Sequence, residues 1–161
     1  MTFLRFITLL ALAIWIGGLI FFPVLAQTSF TVLPSTHLAG LVVRHSLIDL
    51  HWMGIGAGII FLVCSMIDNR VTVGKPRVFA LSHIFIVLML ALTAISQFWI
   101  IPRMDLLRIT AGEISVLPVG NSIRAQFDSL HAWSTRLETA VLVLGLIVLY
   151  SVARRFSTSR S

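Results

Sequence analysis

Histidine and carboxylate at helical spacing carry whatever chemistry this sequence holds. His45 and Asp49 are four residues apart and share one helix face, while Arg44 and His51, seven apart, share another. Further along, Asp128, His131, Thr135 and Glu138 form a stripe at steps of three and four. Ser134 and Arg136 lie within that segment, and Gln97 near the end of an earlier one is placed to join them. Imidazole with carboxylate suits zinc, copper(II) or iron, and helix bundles commonly build such sites in their cores. His45, Asp49, His131 and Glu138 are therefore the metal candidates, and they also suit proton exchange. A simpler chemistry competes. Arg44 or Arg136 pairing with Asp49 or Glu138 gives a structural polar cluster, and that is the expectation. The chain has no H-E-x-x-H, no Cys/His pairing and no Met-rich copper motif. No cofactor is expected, with copper, zinc or haem as the alternatives. No nucleophile set that would mark an enzyme stands out.

The elements that must position these residues are apolar. Of the 161 residues, 58% are hydrophobic and 11% charged, with a mean hydropathy of +1.00. A soluble domain carries about a quarter charged residues, so a water-soluble enzyme, a disordered tail and a disulfide scaffold are excluded. Four segments are long enough to cross a bilayer, which takes about 20 residues. They predict an all-α, integral membrane four-helix bundle, one domain over 1–161, with helices at about 6–26, 40–67, 78–101 and 122–152. The first run exceeds the roughly 7–15 residues of a secretory signal core, so it is expected to be a retained helix.

Eleven of the twelve basic residues are arginine, and the net charge is +6. They stand at the ends of apolar stretches rather than on one polar face, which points to lipid and orientation and away from nucleic acid. Arg5, Arg70, Lys75, Arg77, Arg154, Arg155 and Arg160 fall on one side. Arg44, Arg103, Arg108 and Arg124 fall on the other. The richer side is cytoplasmic by the positive-inside rule. Both termini are then expected inside, in a bacterial inner membrane, with the polar stripes of the second and fourth helices facing each other in the outer half.

Other residues read as packing or punctuation. Gly54 and Gly58 have the spacing that lets helices approach closely in lipid, and Gly17-Gly18 lies mid-helix in the first segment. Trp52, Trp99 and Trp133 read as interface anchors, and Trp15 as a bundle residue. Cys64, the lone cysteine, reads as packing, and His83 as an interfacial or capping histidine. Gln27–Leu38 reads as a connection bent at Pro34, and Gly74 with Pro76 as a turn. Met104–Ile109 reads as a short interfacial helix, and Asn121 or Ser122 as the cap of the last helix.

Three stretches together resemble a known family: Trp15-Ile16-Gly17-Gly18 running into Phe21-Phe22, then Gln97-Phe98-Trp99-Ile100-Ile101-Pro102-Arg103, then Phe127-x-x-Leu130-His131-x-x-Ser134-x-x-Leu137. In this order they resemble the bacterial branch of the transmembrane protein 205-like family, a domain of unknown function. The resemblance implies a small four-helix membrane domain with motif positions Trp15, Gly17, Gly18, Pro102, Phe127, His131 and Ser134. The W-x-G-G of the first helix is more distantly similar to the copper-resistance protein D family and to haem-containing four-helix protoporphyrinogen oxidases. Those oxidases carry a histidine in their first helix, and this chain has none there. The function expected is a binding, transport-accessory or structural membrane component, alternatively a metal- or haem-binding one for copper handling or redox. Four helices leave little room for a transport path, so a homo-oligomer or a membrane partner subunit is expected beside the lipid bilayer.

Overall fold

A chain in lipid must satisfy its backbone internally, and a helix does so within one segment. The computed structural model describes residues 2–73 and 81–158, with side chains over 2–71 and 81–154. Among them, α1 spans Thr2–Val32 and α2 spans Thr36–Val73. α3 (Leu81–Ile95), a π-helical turn (Ser96–Ile100) and α4 (Ile101–Ala111) continue as one rod. A 3-10 turn at Ile114–Val116 leads into α5, Ser122–Thr158. Among the described residues four rods are long and apolar enough to span a membrane, so this is an all-α four-helix bundle. The turn expected at Gly74 and Pro76, Lys75, Arg77, residues 78–80 and Arg160 lie outside the described residues, as does the Arg155 side chain.

The rods are longer than the apolar segments alone indicate. α1 has 31 residues and α2 has 38, and 1.5 Å per residue takes both well past a hydrocarbon core about 30 Å thick. Gln27–Leu38 is therefore not a loop: only 33–35 are non-helical, with Pro34 in the break. Met104–Ile109 is likewise not a separate interfacial helix but part of α4. Pro102 has no N–H for the carbonyl of Phe98, so the helical ladder is already interrupted there. The π turn widens the helix at that point instead of ending it. α4 stops at Gly112, whose φ of +71° suits a residue without a Cβ. The Asn121 side-chain oxygen then caps α5, accepting from the amide of Ile123 at 2.8 Å.

Around the bundle α1 packs on α2, α2 on α3, α3 on α5, and α5 on α1. α2 and α5 thus lie across a diagonal. Trp15, buried at 1% exposure, fills the groove left by the two glycines of α2. A Cβ on Gly54 would stand 2.7 Å from Trp15 Cε2, and one on Gly58 would stand 2.9 Å from Trp15 Cζ3 and 2.7 Å from Leu90 Cδ2. Gly18 faces Leu50 and Met53 of α2 in the same way, but Gly17 meets nothing within 4 Å. Close approach matters because lipid tails remove the hydrophobic drive between helices and leave packing to hold them. Leu12, Ile16, Phe61, Ile86, Met89, Val141 and Val148 complete this core. Trp52, Trp99 and Trp133 face outward, each about half exposed.

Candidate functional site

Three polar side chains meet where the diagonal crosses the core. His51 shares the buried stripe of α2 with Leu50, Gly54, Ala57, Gly58 and Phe61. Its Nδ1 lies 2.8 Å from Gln97 Oε1 in the π turn, and its Nε2 lies 2.7 Å from Glu138 Oε1 on α5. His51 is 1% exposed and the Glu138 side chain 14%. With Gln97 presenting its oxygen, Nδ1–H donates to it. Nε2 and Glu138 Oε1 are joined by one hydrogen bond, whose donor depends on the imidazole tautomer. Glu138 Oε2 is buried without a hydrogen-bond partner among the described residues.

Above this cluster, toward the loop at 112–121, the bundle is not filled. α1 and α5 meet where Gly145 faces Ile16, then part around a cavity of about 580 Å³. Leu19, Phe22, Pro23, Ala26 and Phe30 of α1 form an apolar wall, and Ser134, Thr135, Glu138 and Thr139 of α5 form a polar one. At the mouth, Arg44 of α2 holds both carboxylate oxygens of Asp105 of α4 through Nε and Nη2. Arg108 reaches the same carboxylate at 3.5 Å and lies over the Phe127 ring at 4.9 Å. A volume of this size falls within the range of small-molecule pockets. The arrangement can bind an amphiphilic molecule and can offer it a proton-holding group at the floor.

The expected cluster is redrawn. His51, Gln97 and Glu138 come together, and Ser134 sits one turn away, 3.5 Å from Ser96. His45 and Asp49 do not join them: both are exposed, and His45 bonds the Leu41 carbonyl of its own helix at 2.8 Å. They share a face as their spacing indicates, but it is the outward face. The Leu50–Gly54–Ala57–Phe61 periodicity of α2, which selects His51, is the signal that separates the two. His131 lies on the α5 stripe of Ser134 and Glu138, one turn beyond Ser134 and two beyond Glu138, where it lines the cavity and is exposed. The expectation that His45 and Asp49 face His131 and Glu138 therefore fails, because α2 and α5 are diagonal and only the inward His51 spans the gap. Arg136 is exposed beside Trp133, 5.2 Å from its ring, and pairs with neither carboxylate. Arg44 pairs with Asp105, a partner outside the reach of the spacing argument because Asp105 lies in the segment expected to be a separate interfacial helix. No three His, Cys, Asp or Glu side chains converge among the described residues, so the four metal candidates form no donor set. His83, in the first turn of α3, is buried against Phe61 and lies 2.8 Å from Ser65 Oγ.

A family model described as a domain of unknown function, DUF4149, matches residues 10–113. No match was found among curated proteins or among solved structures.

Proposed function

The chain belongs to the DUF4149 family, and we propose that it is a membrane-embedded binding protein whose outer-half cavity takes an amphiphilic small molecule. The carrying observation is the cavity of about 580 Å³ that joins an apolar wall on α1 to Glu138 at its floor. Ligand pockets commonly pair a largely apolar lining with a few fixed polar groups. Glu138 supplies such a group at the lining, and His51 behind it, itself held by Gln97, fixes its position. A transport-accessory role, as a homo-oligomer or beside a membrane partner subunit, belongs to the same reading.

We also carry as proposals a bacterial inner-membrane location with both termini cytoplasmic, and the likeness to the transmembrane protein 205-like and copper-resistance protein D families. Trp15, Gly17, Gly18 and Pro102 of that motif fall inside the matched region, and Phe127, His131 and Ser134 beyond it.

Displacement of a lipophilic fluorescent probe tests the binding role. The purified protein is expected to bind the probe with one site per chain. Ala26→Trp, which fills the cavity from α1, is expected to weaken that binding at least about tenfold, equivalent to ~1.4 kcal/mol. Equal binding by a folded Ala26→Trp protein would remove the cavity from the proposal.

A further inference from the structure

Arg108, which lies over the Phe127 ring, is a cation placed where most of its hydrogen-bonding capacity is unused. A guanidinium carries five N–H donors. Among the described residues this one makes a single ion pair, at 3.5 Å, to a carboxylate that Arg44 already holds through two bonds. Its side chain is 22% exposed, so most of it is withdrawn from bulk water while its donors remain unspent. Two arginines sharing one aspartate leave one positive charge in excess at this point of the mouth. Nearby acids are engaged elsewhere. Glu138 is on His51, Asp128 is two-thirds exposed and 4.0 Å from Arg124, and Glu113, which accepts from the neutral Ser115 hydroxyl at 2.8 Å, makes no ion pair with Arg108 among the described residues. Position 40 is glycine, and a Cβ there would stand in ordinary van der Waals contact with Arg108 Nη2, at 3.9 Å, so that no polar side chain reaches the guanidinium from this position. A buried cation with open donors is costly unless an anion or water meets it.

The apolar wall fits the rest of the molecule such an anion would belong to. Leu19, Phe22, Pro23, Ala26 and Phe30 recur at steps of three, one, three and four along α1 and face the cavity together. The seam between α1 and α5 closes at Ile16 and Gly145 and opens toward the arginines. An extended apolar body in that seam ends beside Arg108.

We infer that the occupant of the cavity is an amphiphile with an anionic headgroup, its apolar body along α1 and its head on Arg108. This rests on the binding role proposed above. The full chain in phosphatidylcholine nanodiscs, loaded with the fluorescent probe, is challenged with dodecyl phosphate, dodecanol and inorganic phosphate. Dodecyl phosphate is expected to compete about tenfold more strongly than dodecanol, and inorganic phosphate not to compete at the same concentration. Arg108→Gln is expected to remove the preference for dodecyl phosphate over dodecanol, and Arg108→Lys to retain part of it. Equal competition by dodecyl phosphate and dodecanol, or an unaltered preference in Arg108→Gln, overturns this inference and leaves the binding role standing. Competition by inorganic phosphate equal to dodecyl phosphate also overturns it, since the head alone would then suffice. Failure of both dodecyl compounds to displace the probe sinks the binding role itself. Lysophosphatidylglycerol and laurate, run side by side, separate a phospholipid source from a free fatty acid.

Discussion

His51 is buried with both ring nitrogens against oxygen atoms, one on Gln97 and one on Glu138 at the cavity floor, so its two partners are not interchangeable in cost. Glu138→Ala leaves a buried imidazole nitrogen with nothing to bond, a loss of about 3–5 kcal/mol for a buried pair. Glu138→Gln keeps a polar group at the same place, and an amide N–H can donate to Nε2 of a neutral imidazole. Unfolding in mixed detergent micelles is therefore expected to rank wild type, then Glu138→Gln, then Glu138→Ala. A Gln variant as unstable as the Ala variant would mean that charge rather than hydrogen bonding holds the site. The glycines offer a second contrast at this scale. Gly54→Ala must displace a fully packed indole ring, an overpacking cost of about 1–3 kcal/mol. Gly17→Ala meets open space and should be neutral or slightly stabilising, as glycine is a poor helix former. Melting curves of the two variants measure the difference directly.

At the scale of elements, the π turn at Ser96–Ile100 sets the rotation of everything before it relative to α4. One residue of helix is about 100° of rotation, so restoring regular α-helix there would swing Gln97 off His51. Pro102→Ala returns the missing N–H and is expected to relax the turn. The hydrogen-bonded His51 Nδ1 proton, followed by NMR on histidine labelled with nitrogen-15, should then lose its protection. A signal unchanged in Pro102→Ala would show that packing against α5, not the proline, maintains the turn. The π turn was hidden in the sequence because Pro102 has the same local signature whether a helix stops or widens. Which happens depends on the apolar face running on through Ile100, Ile101 and Met104.

For the whole molecule, charge places the two ends in different surroundings. Arg5 pairs with Asp68 at one end, at 3.2 Å, and the Arg44–Asp105–Arg108 group lies at the other. Four rods put α1's start and α5's end on the same side. Reporter fusions are expected to place Gly74 in the cytoplasm, through fluorescence, and Gly112 outside, through phosphatase activity. The reverse pattern would invert the proposed orientation and move the cavity to the inner leaflet. The bundle itself survives either result, because its packing does not depend on which leaflet it faces.

Composition and periodicity were enough for the number and type of elements. Long apolar runs can satisfy their backbone in lipid only as helices, and four such runs have few ways to pack. Gly54-x-x-x-Gly58 and Asn121 were legible for a similar reason: close approach and helix capping are local demands with few chemical solutions. His45 and Asp49 show where that legibility stops. Spacing says which residues share a face, but not whether the face turns to a neighbour or to lipid. That rotation is chosen by the packing of α2 against α1 and α3, where Trp15 must enter the Gly54–Gly58 groove, and the choice turns His51 inward and the other two outward. The diagonal placement of α2 and α5, the opening of α1 away from α5 and the Arg44–Asp105 pair likewise come from helices remote in sequence. Each is a property of how rods of nearly uniform apolar surface settle against one another, and only the assembled bundle decides it.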